Sequence, residues 1–373
     1  MLAPLGERLP TSSPGWTINE EQTMKYRLLG RTGVWVSEIS LGTMTFGGAT
    51  HPVWGSLGAL GQEDADRLVG TALDAGINFI DTADFYSDGE SEELLGQSLK
   101  QRRQDVVLAT KLYSPTGAGP NHNGLSRLHV MRALENSLRR LRTDHIDLYQ
   151  IHQFDHLTPI EETLRALDDA VRQGKVRYIG CANLAAWQIS QALGISAQHN
   201  QAGFVSAQVY YSLLGRDIER ELVPMAEAQG VGLTVWSPLA GGFLSGKVTR
   251  DGVTDAGSRH AAGYEFPPID RERGHDVLDV VRAVAARHGV SPARVSLAWL
   301  LAQRAVTSVI VGARKAEQLV DNMAATELTL TEQDLAELDA VSALPTAYPN
   351  WIQEMFAPTR VPQQGGLAAP NVA

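Results

Sequence analysis

The sequence predicts an α/β fold with a parallel sheet covered by helices. Two observations carry this expectation. Short apolar runs alternate with stretches of helical spacing from residue 39 to residue 324, the pattern of repeated strand–helix units. The runs number eight, and eight parallel strands close a barrel. A doubly wound open sheet is compatible with the same alternation. The 373-residue length suits a single barrel with insertions, since the barrel alone needs roughly 250 residues.

Residues 1–24 are rich in Pro, Ser and Gly and lack periodicity. They are expected to form a disordered extension, with Met24 a sensible alternative start. Lys25–Leu29 and Val34–Ile39 flank Gly30-Arg31-Thr32-Gly33 and read as a β-hairpin. The eight strand candidates are Ile39–Leu41, Ile77–Ile80, Val106–Ala109, Ile146–Ile151, Val176–Gly180, Val205–Gln208, Leu233–Trp236 and Ser308–Val311. Helical spacing marks Gln62–Ala75, Glu92–Lys100, Ser126–Leu141, Pro159–Gln173, Ala185–Leu193, Asp217–Gln229, Ala293–Gln303 and Ala316–Ala324. Ser126 and Thr158 are candidate N-caps, the latter followed by Pro159 at N1. Gly174, Gly194 and Gly230 are placed to end helices in a left-handed conformation.

Two stretches break the alternation. Gly241–Asp270 is an irregular, Gly-rich loop after the seventh strand, followed by an extra helix over Glu272–His288. The tail 343–373 is Pro-rich, carries Tyr348, Trp351 and Phe356, and reads as a loop lying as a lid over a pocket. The barrel itself is expected over 25–342.

The formal net charge of -10 gives the chain no general affinity for nucleic acid or anionic membranes. No stretch approaches the roughly 18 apolar residues of a membrane span, and no signal-peptide pattern opens the chain. Cys181 is the one cysteine; it is expected to be a buried core thiol, and the lack of a disulfide fits a reducing, cytoplasmic compartment.

In a parallel barrel, chemistry gathers at the C-terminal strand ends. The second strand run leads into Asp81-Thr82-Ala83-Asp84-Phe85-Tyr86, the third into Thr110-Lys111 and the fourth into His152. Asp81, Tyr86, Lys111 and His152 are therefore expected to converge. A lysine cation beside a tyrosine favours the phenolate and lowers its pKa. Asp81 would hold that cation, and His152 would donate to a carbonyl oxygen. The set suits proton delivery during carbonyl reduction, with the hydride coming from a cofactor. No His/Asp/Glu cluster has metal-ligand spacing, so no metal site is expected.

Gly76–Ala83 with Tyr86, Asp144–His152 (DHIDLYQIH) and Ile310–Asn322 (IVGARKAEQLVDN) resemble, in order, three signature segments of the aldo-keto reductase family. That resemblance implies the closed barrel and a soluble NADPH-dependent reductase of aldehydes or ketones. It implies Tyr86 as general acid, tuned by Lys111 and Asp81, with His152 orienting the carbonyl. It implies that Trp236 stacks on the nicotinamide, that Asn183 and Gln208 bind its carboxamide, and that Asp81 and Gly42-Thr43-Met44 lie beside its ribose. Trp236-Ser237-Pro238-Leu239-Ala240-Gly241-Gly242 would wrap the pyrophosphate, with Lys247 and Arg259 adding positive charge. Arg314 and Lys315, at a helix start after the eighth strand, would stand at the 2′-phosphate end, with Gln318, Asp321 and Asn322 on the adenosine and Gly312 a further cofactor-binding position.

Ala182 replaces a serine common in the family, and Gln318 stands where many relatives carry arginine. NADH is therefore expected as a weaker alternative. Trp54, Tyr113, Phe154 and Trp351 are candidates for the substrate pocket. The sequence also resembles the related potassium-channel β subunits, which makes an NADPH-binding regulatory subunit the alternative from another class. Operation mainly as an alcohol dehydrogenase is the other alternative.

Overall fold

The first described element is a hairpin, β1 (Tyr26–Leu28) paired antiparallel with β2 (Trp35–Ser37). The next seven strands are β3 (Ile39–Gly42), β4 (Phe79–Asp81), β5 (Val107–Leu112), β6 (Ile146–Ile151), β7 (Val176–Ala182), β8 (Phe204–Tyr210) and β9 (Gly232–Trp236). A short ribbon of β10 (Val248–Thr249) and β11 (Gly252–Val253) precedes β12 (Val306–Val311). Strand β12 pairs in parallel with both β9 and β3, which closes the eight-stranded ring. Closure decides between the two arrangements the alternation allowed. This computed structural model describes residues 24–51, 54–250, 252–253 and 266–360. Residues 1–23, Arg259 and residues 361–373 lie outside the described residues.

Twelve α-helices are described: α1 (Trp54–Leu57), α2 (Gln62–Asp74), α3 (Glu90–Ser98), α4 (Arg127–Leu141), α5 (Ile160–Arg172), α6 (Ala186–Gln198), α7 (Leu222–Gln229), α8 (Arg271–His288), α9 (Pro292–Leu301), α10 (Ala316–Met323), α11 (Glu332–Ser342) and α12 (Asn350–Phe356). Ser126 caps α4 by accepting from the His129 N–H at 3.3 Å, as its position predicts. Gly230 ends α7 at φ 69°. Among the described residues no helix is long and apolar enough to cross a membrane.

Three local expectations fail. Pro159, not Thr158, is the N-cap of α5, because Thr158 Oγ1 donates instead to Asp155 at 2.7 Å. Gly194 does not end α6, which runs on to Gln198 because Ser196 continues its buried face. The start of the tail is a helix, α12, rather than a loop; Pro349 stands just before it, where proline starts rather than breaks a helix.

Strand periodicity separates two cores. Inward-facing Phe79, Ala109 and Leu148 join Leu29 and Val36 of the hairpin in one cluster. Outward-facing Ile80, Leu108, Leu112, Tyr149 and Ile151 join the helices in the main core, together with fully buried Cys181. The hairpin therefore plugs one end of the barrel, and the polar interior positions remain at the other. Gly30 makes this fit possible: a Cβ there would sit 2.3 Å from the Val205 carbonyl oxygen, and its φ is 57°.

Arg27 secures the plug. Its guanidinium donates to the Val306 carbonyl at 2.6 Å, the Leu301 carbonyl at 2.6 Å and Glu38 at 2.7 Å. Arg27→Ala would leave a buried carboxylate and two carbonyls without their donor. We expect a loss of about 2–4 kcal/mol, checked by urea unfolding of the purified variant.

Candidate active site

Asp81 ends β4 with its side chain turned into the barrel. Lys111 lies within β5 on the same interior face, two positions past Ala109, rather than beyond the strand end. Its ammonium donates to Asp81 Oδ1 at 2.5 Å and to the Thr82 carbonyl at 2.8 Å, and reaches Tyr86 Oη at 3.3 Å. Asp81 Oδ2 accepts from Gln208 Nε2 at 2.8 Å and from Gln150 Nε2 at 3.3 Å. Four strands thus meet on one carboxylate.

Tyr86 opens a 3₁₀ turn after β4 in which Ser87 (φ 51°) and Asp88 (φ 57°) are left-handed. This tight turn swings the phenol back over Lys111. His152 follows β6, and its N–H donates to the Leu112 carbonyl at 2.9 Å. Its ring centroid stands 6.0 Å from that of Tyr86 and 5.2 Å from that of Phe85. The four residues expected to converge do so.

The electrostatics depart from expectation at Tyr86. Lys111 does pull the phenol pKa down, but burial pushes it up by more, and the net direction is upward. Tyr86 is therefore held as the neutral acid. Burial opposes the Lys111 ammonium, yet Asp81 and Tyr86 outweigh it and raise its pKa. Burial, assisted by the Lys111 charge, holds His152 well below its ordinary range. Its imidazole is neutral at pH 7, with one ring N–H to donate. Behind the site, Asp84 is 1 % exposed and its carboxyl finds no side-chain partner. Burial and then the Glu92 charge push its pKa well up.

The positions expected to meet a cofactor lie around this centre. A Cβ at Gly42 would sit 2.7 Å from Ile310 Cγ2, so any larger residue there would have to displace that side chain. The Thr43 N–H donates to the Asp81 carbonyl at 3.0 Å, and partly buried Met44 follows. Asn183 (φ 58°) donates to the His152 carbonyl at 3.1 Å and accepts from Trp236 Nε1 at 3.0 Å. Gln208 is engaged with Asp81. The Trp236 ring lies parallel to Phe266, 5.5 Å away, and tilted against Tyr210 at 5.1 Å.

Beyond Trp236 the chain turns sharply. Ser237 Oγ accepts from the Gly241 N–H at 2.9 Å. Pro238 and Leu239 lead into a 3₁₀ turn in which Gly241 and Gly242 have φ of 66° and 98°. A Cβ added at Gly242 would meet nothing within 4 Å among the described residues, so its backbone is open to a ligand on that side. Lys247 follows this turn. At the end of β12, Gly312 is exposed and Arg314 donates to the Ser56 carbonyl of α1 at 3.1 Å. Gln318 Oε1 accepts from the Arg314 N–H at 3.0 Å, and Asn322 is buried. Asp321 is engaged otherwise: its two oxygens accept from Ser291 and Arg294, each at 2.7 Å.

The substrate-pocket candidates divide. Trp54 packs edge-on to Phe85 at 5.3 Å and to Tyr86 at 5.9 Å. Phe154 and Tyr113 are partly buried against the core near the mouth. Trp351 is not brought to them: it is 44 % exposed, and its ring lies 6.3 Å from Tyr348. It sits on α12, which is tied to the Arg220 carbonyl through Asn350.

Gln150 and Phe85 were missed as site residues. Gln150 was legible, two positions before His152 on a strand and hence on the same face. Phe85, beside Tyr86, carried no signal of its own. Among the described residues no group of three or more His, Cys, Asp or Glu side chains is placed to hold a metal ion.

The chain is 40 % identical over 329 residues to an uncharacterized oxidoreductase, YrpG, of Bacillus subtilis, covering 85 % of this chain and 96 % of that protein. It is 37 % identical to a probable voltage-gated potassium channel subunit beta of Oryza sativa subsp. japonica, with 85 % and 96 % covered. It is 35 % identical to versiconal hemiacetal acetate reductase of Aspergillus parasiticus, again with 85 % and 96 % covered. The profile of the Aldo/keto reductase family matches residues 38–343, and the chain belongs to that family.

Proposed function

We propose that the protein reduces an aldehyde or ketone to an alcohol with NADPH, using Tyr86 as the general acid. One observation carries the reading: Lys111 stands within hydrogen-bond reach of Asp81 and Tyr86 together, at 2.5 Å and 3.3 Å. That is the arrangement needed to leave a phenolate behind when the proton departs.

Bound NADPH supplies the hydride. The chain's residues do the rest. His152, neutral, donates to the carbonyl oxygen and orients it. As negative charge develops on that oxygen, the Tyr86 Oη–H bond breaks and its proton goes to the oxygen, giving the alcohol. Lys111 stabilises the phenolate that remains, and Asp81 fixes the ammonium through a geometry shared with Gln208 and Gln150. Trp54 and Phe85 screen Tyr86 from water on one side, which strengthens each of these interactions.

The cofactor fits the residues present. The open backbone at Gly242 and the left-handed turn from Ser237 suit a pyrophosphate. Arg314 at the start of α10 suits a 2′-phosphate, where helix N–H groups add to its charge. The names of two relatives, an oxidoreductase and a reductase, support the same reading.

A second reading draws on the relatives named as probable channel β subunits. In it the chain binds NADPH and regulates a membrane partner. Recovery of a channel protein with the affinity-purified chain, together with absent turnover on a carbonyl panel, would favour it.

Tyr86→Phe should lower kcat by at least about 100-fold while leaving the NADPH dissociation constant within about twofold. Steady-state kinetics and tryptophan-fluorescence titration check both, and an unchanged kcat removes the role. Arg314→Ala should raise KM for NADPH about tenfold and KM for NADH far less; equal effects would place the 2′-phosphate elsewhere. Because burial holds Tyr86 protonated and His152 neutral, reductive kcat/KM should stay flat from about pH 7 to about pH 9. Its loss should come only where the phenol ionises, above about pH 10.

A further inference from the structure

Against the turn that carries Tyr86 lies a second buried polar cluster, which the proposed proton transfer does not use. Glu92, with no exposed surface, accepts from Thr110 Oγ1 at 2.6 Å and from Arg140 Nε at 2.7 Å. Arg140 Nη2 stands 2.6 Å from the same carboxylate. Arg140 also supports the turn: a Cβ on Gly89 (φ 96°) would sit 2.9 Å from Arg140 Cδ and Nε. Asp84 lies two residues before Tyr86 and three after Asp81. Its N–H donates to the Lys111 carbonyl at 3.1 Å. Its carboxyl is buried, and neither oxygen has a hydrogen-bond partner among the described residues. The hydroxyl of Tyr149, fully buried on β6, is likewise without one.

The charges acting on Asp84 come from Glu92 of α3, Arg140 of α4 and Lys111 of β5. Around it they already form two matched pairs: Lys111 is answered by Asp81 at 2.5 Å and Arg140 by Glu92 at 2.6 Å. A third carboxylate would be a buried anion with no cation of its own, a costly species. As the acid, Asp84 instead has an O–H to donate and an oxygen to accept. Burial and then Asp84 push the Tyr149 phenol up, so that ring adds no charge. The charge state of Asp84 matters for Tyr86. After burial, Lys111 and Asp81, a negative charge on Asp84 is a further influence on the Tyr86 phenol, and it acts upward. It would oppose the phenolate that Lys111 favours.

We propose that Asp84 is a positioning residue for proton delivery, carried as the neutral carboxylic acid. Glu92 keeps it neutral by taking the whole of Arg140, and no third negative charge then faces Tyr86 as its phenolate forms. This rests on the reading of Tyr86 as the general acid and adds the charge balance on which that acid depends. With the Glu92 charge removed, Asp84 is the carboxyl left to answer Arg140, and it ionises.

Infrared difference spectra of wild type against Asp84→Asn at neutral pH read the state of Asp84 without reference to turnover. The C=O stretch of a protonated carboxyl should be present in wild type and absent from the variant. Glu92→Gln, whose amide oxygen can still accept from Thr110 or Arg140, should abolish the band. Kinetics with NADPH and benzaldehyde read the consequence. Glu92→Gln should lower kcat about five- to tenfold, and adding Asp84→Asn to it should restore kcat to within about twofold of wild type. A loss that the second substitution does not repair assigns Glu92 a structural part only and overturns the proposal. So does a band that persists in Glu92→Gln. If Glu92→Gln does not fold, or if wild type reduces no aldehyde and the reductase reading falls, the wild-type band decides alone. Its presence upholds the neutral acid, and its absence overturns it.

Discussion

An ammonium group with no exposed surface sits at the mouth of this barrel. Removing such a charge from water costs several kcal/mol unless oxygen ligands replace the lost hydration. Lys111 finds three: the Asp81 carboxylate, the Thr82 carbonyl and the Tyr86 hydroxyl. Asp81 in turn needs donors for its second oxygen and takes them from Gln208 and Gln150. These residues come from β4, β5, β6 and β8, so the network exists only once those strands are in register around a closed ring. Folding and assembly of this hydrogen-bond network are therefore one event.

The same burial sets the chemistry. In water, a cation beside a phenol would make it a stronger acid. Here the low-dielectric surroundings disfavour the phenolate more than Lys111 favours it, so Tyr86 rests protonated and yields its proton only to a strong base. The alkoxide developing in the proposed reduction is such a base. His152 follows from the same balance, because a second cation beside Lys111 would be expensive and the imidazole stays neutral. Asp84 shows what happens to a carboxyl in this shell without a cation of its own: its ionised form is disfavoured, and Glu92 is the group matched by Arg140.

Two tethers join the cluster of Tyr86, Lys111 and His152 to its surroundings. Asn183 links the His152 backbone to the Trp236 indole, so a displacement at either is felt at the other. Arg314 links α10 to α1, which carries Trp54, the indole packed on Tyr86. The proposed anion-binding end and one wall of the mouth thus share a hydrogen bond. Phe266 and Tyr210 flank Trp236 and limit how its ring can turn. The hairpin at the opposite end contributes by exclusion, since Leu29 and Val36 fill the barrel bottom and leave the polar positions only at the top.

Local spacing alone determined a good deal. The eight strand runs, the helices between them and the strand-end positions of Asp81, Tyr86 and His152 were legible, because period-two and period-3.6 patterns are properties of neighbouring residues. Ser126 and Gly230 were legible for the same reason. Thr158 and Gly194 were misread because Asp155 and the buried face of α6 act on them from outside the local window. The tail was misread in the same way: its prolines suggested a loop, but Asn350–Phe356 forms a helix anchored through Arg220. The closed ring was expected from the count of eight strands and the family resemblance, and the structure bears it out; tertiary structure alone decided that Asp81 is shared by lysine and two glutamines and that Asp321 serves Ser291 and Arg294. It also decided that burial overrides Lys111 at Tyr86. Each of these depends on groups distant in the chain and on the dielectric they create together, which no spacing of residues encodes.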